Sequence, residues 1–282
     1  MAFTAKDVQA LREKTGVGMM DCKKALVEAD GDFDRAVDIL RERGLAAATK
    51  KAGRITAEGI VLSYYDEAAK VAVLVEVNSE TDFVGKNAEF QAFVKDIAVT
   101  IANENPADVE ALSALRLAGS DRSVEEIRRE KVLSIGENVN IRRFIRMEGV
   151  VASYVHGGGS VGVLVRFAAD DAAAASEAFK EMGKNVAMQV AAMSPQYLGE
   201  AAVPADVVAH EKEILKAQMR EDPKMQGKPD AVLDKIIGGR IGKFFKEVCL
   251  LEQQYVKDGE LSVGQYIASV AKELGASVEA LE

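Results

Sequence analysis

The chain has 282 residues, 48% of them hydrophobic and 29% charged, with a net charge of −9. That length is enough for two or more domains with substantial cores, and the acidic balance argues against a chain that wraps nucleic acid. No apolar run reaches the roughly 18 residues needed to cross a bilayer, and the first residues lack the apolar centre of a signal peptide. Cys22 and Cys249 are the only cysteines and lie far apart, which suits a reducing, cytoplasmic setting rather than a disulfide scaffold.

Residues 1–54 read as a three-helix module followed by a linker. Thr4 and Asp7 have the spacing of a capping box, with Val8 and Leu11 facing inward. The run Thr15-Gly16-Val17-Gly18 breaks this helix, and a second passes through Met20, Cys22, Ala25, Leu26 and Ala29. Asp32 caps a third, with Phe33, Ala36, Val37 and Leu40 on one face. Gly44 reads as its C-terminal stop and Ala46–Arg54 as a linker with some helical character. Met19 and Met20 beside the glycine-rich loop either fill this small core or serve an adaptable binding surface.

Val71 to Asn87 is the most informative stretch. A valine-rich run reads as a buried strand, and Phe90, Phe93, Val94, Ile97 and Ile101 then fall at helical spacing. Phe83 therefore stands at a strand-to-helix corner beside Thr81 and Asp82. Either these residues cap a turn while Phe83 folds into the core, or the corner carries function.

The chain repeats itself. Residues 58–64 (EGIVLSY) match 148–154 (EGVVASY), and 71–75 (VAVLV) match 161–165 (VGVLV) at the same offset. A helical pattern follows each pair, at Ala88–Asn103 and near Ala174–Met193. Two copies of a strand–turn–strand–helix unit imply duplicated subdomains. The second copy reads Phe167-Ala168-Ala169-Asp170-Asp171 at its corner and has no counterpart of Phe83, which favours a task for that side chain. Between the copies, Ser123–Leu133 reads as a helix and Ile135–Arg143 as a strand, with the second repeat starting near Arg146.

From Pro204 the pattern becomes helical. Val207, Val208, Ile214, Leu215 and Met219 mark one helix, and Asp222–Pro229 a loop. Val232, Leu233, Ile236, Ile237, Ile241, Phe244, Phe245 and Val248 form one face of the next helix, with Lys235, Arg240, Lys243 and Lys246 opposite. Such a pair should form an antiparallel hairpin, either a self-association arm or a structural brace. Val263–Leu274 is a last helix. The fold class is thus α+β, divided as 1–54, 55–145, 146–203 with 249–282 (a second core subdomain), and the hairpin 204–248.

Chemistry by the chain's own side chains finds little support. His156-Gly157-Gly158-Gly159 resembles an esterase oxyanion loop, but no G-x-S-x-G turn accompanies it, and the repeat aligns these glycines with the hairpin turn Asp66–Ala69. Two histidines, His156 and His210, cannot make a histidine-rich metal site. No G-x-x-x-x-G-K-[ST] phosphate loop is present, and Gly238–Lys243 lies inside an amphipathic helical pattern.

Two separated motifs resemble the signatures of one family. Leu11–Leu26 (LREKTGVGMMDCKKAL) and Glu76–Val84 (EVNSETDFV) resemble those of elongation factor Ts, and Ile135–Arg143 (IGENVNIRR) is similar to a further stretch of that family. The resemblance implies a guanine-nucleotide exchange factor for elongation factor Tu rather than an enzyme. It would need no cofactor of its own and act on the GDP and magnesium of its partner. It further implies a ubiquitin-associated-like N-terminal module, a duplicated α+β core and a protruding helical hairpin.

Carried over by motif, partner contacts fall on Arg12, Gly16, Gly18, Met19, Met20 and Lys23. A wedge near the partner's magnesium site falls on Thr81, Asp82, Phe83 and Val84. Two departures matter. Gly85 stands where the family has alanine or serine, which should loosen the corner. The family also continues past the last helix with an apolar strand, so a sequence stopping at Glu282 should lack an edge strand in its second sheet. The main rival is a binding or chaperone subunit without exchange activity, acting through the N-terminal module. A hydrolase built around His156 is a weaker one.

Overall fold

The computed structural model describes residues 3–222 and 229–282. They form a mixed α+β protein that divides into two compact units. The first comprises residues up to Glu148 together with Val155–Gly162, and the second Gly149–Tyr154 with Val163–Glu282.

The first unit begins with α1 (Ala5–Thr15), α2 (Met19–Glu28) and α3 (Phe33–Lys51). The Thr4–Asp7 capping box satisfies the first amides of α1, and the Asp32 carboxylate accepts from the Arg35 N–H at the start of α3. Leu11, Val17, Cys22, Leu26 and Leu40 pack between the three helices. Gly44 does not stop α3. The helix runs on to Lys51 through an alanine-rich stretch of high helical propensity, so most of the expected linker is helix. A Cβ at Gly44 would lie 3.4 Å from the carbonyl oxygen of Arg129, so this glycine serves close helix packing. Beyond it, Ala48 is buried in the larger core of the unit.

That core is a three-stranded antiparallel sheet in the order β1 (Glu58–Asp66), β2 (Val71–Ser79), β3 (Asn140–Glu148). Between β2 and β3 come α4 (Asp82–Gly85), α5 (Ala88–Glu104), α6 (Val109–Ala114) and α7 (Val124–Ile135). Val71, Val73, Val75 and Val77 alternate onto one face of β2 and meet Phe90, Phe93, Val94, Ile97 and Ile101 of α5. The strand read from 135–143 lies further along the chain. Ile135 ends α7, Gly136 takes φ +85° at the cap, and β3 runs from Asn140 to Glu148, past Arg146. A helix end followed by a strand start produced an apolar alternation that one strand would also give.

The second repeat supplies β4 (Val150–His156) and β5 (Val161–Ala168), joined by a turn as long as the one between β1 and β2. The triple glycine is that turn, with φ of +58°, +67° and +107°. A Cβ at Gly159 would lie 3.1 Å from Ile60, and the Val61 N–H donates to the Gly159 carbonyl at 2.7 Å. Turn geometry and close packing therefore account for these glycines.

The second unit continues with α8 (Asp171–Ala175) and α9 (Glu177–Met193). The single helix expected near Ala174–Met193 is split at Ser176, whose hydroxyl accepts from the Phe179 N–H. Val163, Val165 and Phe167 of β5 pack with Phe179, Met182 and Val186 of α9 and with Ile267 of α12 (Val263–Leu274).

The sheet has its edge partner after all: β8 (Glu279–Ala280) pairs antiparallel with Phe167 and Ala168 of β5. The Leu281 N–H donates to the Arg166 carbonyl and the Arg166 N–H to the Glu282 carbonyl, each at 2.8 Å, which extends the ladder. The two-residue β6 (Gln254–Tyr255) pairs with β7 (Asp258–Ser262).

In the same unit α10 (Ala205–Glu221) and α11 (Asp230–Val248) pack through Leu215, Met219, Ile237 and Ile241, whereas Val232, expected on the packed face, is exposed. Most of the loop expected at Asp222–Pro229 lies outside the described residues. Both cysteines are buried and unbonded, and burial raises each thiol above its ordinary value. Among the described residues no helix is long and apolar enough to cross a membrane.

Gly44→Leu should destabilise the protein by about 1–3 kcal/mol, the usual cost of overpacking. Chemical denaturation measures this, and an unchanged midpoint would refute close packing at that position.

Candidate functional site

Strand β2 is buried on nearly all positions up to Ser79, after which the chain leaves the sheet at Glu80 and turns into α4. A helix of one turn leaves its first amides without intrahelical acceptors. Thr81 occupies the cap position in an extended conformation, yet its side chain makes no capping bond. The two amides just upstream of α4 find their acceptor far along the chain. Glu137 Oε2 accepts the N–H groups of Glu80 and Thr81 at 3.0 and 2.9 Å, and its Oε1 accepts the Thr81 hydroxyl at 2.7 Å.

The pairing is reciprocal. Glu80 Oε1 accepts the Asn138 N–H at 2.7 Å and an Arg54 guanidinium N–H at 3.3 Å, and the Asn138 amide donates to the Arg54 carbonyl at 3.2 Å. The Asn138 bond, ahead of the Arg54 charge, holds the Glu80 carboxyl below its ordinary 4.5.

The far side of the corner is equally fixed. Val84 is buried in the sheet–helix core, so its side chain anchors the turn and is not offered to a partner. Gly85 is buried too. A Cβ there would lie 2.9 Å from both the Gly59 carbonyl oxygen and Ile60 Cγ2. The expectation that glycine loosens the corner is therefore reversed: its missing methyl lets the turn seat directly on β1. Gln91 donates to the Gly85 carbonyl at 2.9 Å, and Asn87 caps α5 by accepting from Glu89 and Phe90.

With its backbone held on both sides, Phe83 is 77% exposed, which excludes the reading in which it folds into the core. Asp82 is exposed beside it and accepts from Lys86 Nζ at 2.6 Å, the contact that most lowers its pKa. Lys86 also lies 5.8 Å from the Phe83 ring centre. Both charges of this pair are more than half exposed, so it adds little to stability.

The second predicted patch lies on the turn between α1 and α2. Gly16 closes α1 at φ +66° with its N–H on the Arg12 carbonyl, and the Gly18 carbonyl accepts the first bonds of α2. Met19 and Met20 are 41% and 63% exposed, so they do not fill the small core. Arg12 and Lys23 are exposed as well. Arg12, Gly16, Gly18, Met19, Met20 and Lys23 thus lie on α1, α2 and the turn between them, and Thr81, Asp82 and Phe83 at the β2–α4 corner, both in the first unit.

Sequence reasoning missed Glu80, Glu137, Asn138 and Arg54 as a group. The available signal was an acid and an amide directly after the helix-ending Gly136. Among the described residues, no group of three or more His, Cys, Asp or Glu side chains could hold a metal ion.

A family model described as elongation factor TS matches residues 80–280. Curated relatives named Elongation factor Ts extend the similarity to the N-terminal helices. Those of Trichlorobacter lovleyi and Syntrophotalea carbinolica are 50% and 49% identical, each covering 99% of this chain and 90% of their own length. That of Clostridium perfringens is 48% identical over 98% of this chain and 89% of its own.

Two measurements check this geometry. Gly85→Ala should cost about 1–3 kcal/mol in denaturant unfolding, because backbone lies in the way of the new methyl. Protection of the Asn138 amide from hydrogen exchange should persist above about pH 4.5 and fall below it. Glu80 has a depressed folded-state pKa, so its contribution is present above the unfolded value and lost as pH drops through the folded one. Protection unaffected by acid would refute the Glu80–Asn138 bond.

Proposed function

The chain belongs to the elongation factor Ts family of translation elongation factors, and from that premise we propose that it is a guanine-nucleotide exchange factor acting on elongation factor Tu in the cytoplasm. The observation that carries the proposal is the solvent-facing Phe83 on a turn whose backbone is fixed at both ends. An aromatic side chain that costs free energy in water and does not pack at home is suited to a pocket on a partner.

In this reading the exchange factor makes and breaks no covalent bond and needs no cofactor of its own. The partner holds GDP largely through phosphate contacts and a magnesium ion that demands near-octahedral geometry. Inserting Phe83 near that ion shifts its protein ligands, and Asp82 adds a negative charge beside the phosphate site. Thermodynamic linkage sets the outcome: the factor by which this protein weakens GDP binding equals the factor by which GDP weakens its own. GTP can then enter the emptied site.

The patch of Arg12, Gly16, Gly18, Met19, Met20 and Lys23 supplies affinity, with two exposed methionines that adapt to an apolar groove. The helix pair α10–α11 is assigned to self-association or to a second contact with the partner.

Release of a fluorescent GDP analogue from elongation factor Tu tests the two patches separately. Phe83→Ala should lower the release rate at saturating factor by about 10–100-fold, the worth of one buried phenylalanine, while leaving the dissociation constant within a few-fold. Met20→Asp should instead raise the dissociation constant about tenfold or more with a smaller effect on the saturating rate. A binding subunit without exchange activity would accelerate release in neither form.

A further inference from the structure

We propose that Glu137 is a positioning residue for exchange: its carboxylate holds the Glu80–Phe83 turn in the geometry that Phe83 needs, without touching the partner. The proposal rests on the exchange reading above and adds a residue to it.

The argument starts from what α4 lacks. Four residues are too few to sustain a helix, because nucleation fixes several dihedrals for a single hydrogen bond. Phe83 is 77% exposed and its one ring contact among the described residues is the exposed Lys86, so its direction is set chiefly by backbone. Downstream, that backbone is fixed by buried Val84 and by Gly85 against Gly59 and Ile60. Upstream, Thr81 makes no capping bond, and Ser79 reaches only the Thr81 carbonyl, at 2.9 Å. The two upstream amides and the Thr81 hydroxyl all converge on Glu137.

A carboxylate accepting three bonds at 2.7–3.0 Å is a charge-assisted clamp, stronger than neutral contacts of the same geometry. Its own position is fixed by the helix end at Gly136 and by the reciprocal Asn138–Glu80 bond. Without it the upstream side keeps the Glu80 bonds to Asn138 and Arg54 and the Ser79 bond to the Thr81 carbonyl, but both amides and the Thr81 hydroxyl lose their acceptor. Ordering the freed residues must then be done during insertion, which for about one residue's backbone corresponds to roughly tenfold in rate.

The test uses the full chain and measures GDP release from elongation factor Tu at saturating factor. Glu137→Ala should slow release about tenfold, with the dissociation constant within a few-fold. Glu137→Gln keeps an oxygen acceptor for both amides and should restore most of the rate. In a Phe83→Ala background, Glu137→Ala should have little further effect, since the two residues act as one unit. Hydrogen exchange at the Glu80 and Thr81 amides should rise in Glu137→Ala in the free protein, with thermal unfolding showing that the rest of the fold is retained.

A loss of equal size in both backgrounds would overturn the positioning role and make Glu137 a contact or general fold residue. Full activity of Glu137→Ala despite faster amide exchange would also overturn it, while leaving the exchange function intact. A wild type that does not accelerate release overturns the exchange function itself. The amide exchange then still reports whether the clamp exists.

Discussion

The backbone leading into the Phe83 corner is held by one carboxylate. Glu137 stands 56 residues from Thr81 in sequence, yet it accepts the two amides that lead into a helix too short to stand alone. For Glu137 to be there, α7 must end at Gly136 and β3 must pair with β2 from Asn140 onward. Helix α3 packs against α7, with buried Gly44 beside the Arg129 carbonyl, where a Cβ would be in contact and a larger side chain would have no room. The sheet, the long third helix and the inter-repeat helix thus converge on residues 80–85.

The duplicated repeat shows what is special about this corner. At the equivalent place in the second unit, Asp170 caps its own short helix by accepting from the Ala173 N–H at 2.7 Å, and buried Ala173 anchors the turn. That solution is local and places no aromatic in solvent. In the first unit the backbone leading into the helix is held by a distant segment, and the side chain at the corner is exposed. An exposed phenylalanine on a fixed backbone is unfavourable for the isolated protein and pre-ordered for a partner, so little entropy remains to be lost on contact. Met19 and Met20 use a different device, a flexible side chain on a glycine-bounded helix start.

Local patterns were legible wherever neighbours in sequence decided the outcome. The capping residues Thr4 and Asp32 act within three residues, and the valine alternation of β2 and the apolar spacing of α5 follow the periods of strand and helix. The matching hairpins could be aligned because a duplicated strand pair keeps its apolar face and its turn length. The errors fell where a residue's meaning depends on what packs against it. A helical glycine reads as a stop until another helix is found lying on it, and an apolar alternation across a helix end and a strand start reads as one strand.

The sequence by itself determined the α+β class, the duplicated hairpins and the strand-to-helix corner at which Phe83 stands. Only the tertiary structure decided that Phe83 faces solvent, that Val84 does not, that Gly85 tightens the corner, and that Glu137 holds it. It also decided that two residues near the C-terminus complete the second sheet. The physical reason is the range of the interactions. Caps and periodic faces are settled within a few residues, whereas exposure, close backbone approach and the partner of an unsatisfied amide depend on segments that folding alone brings together.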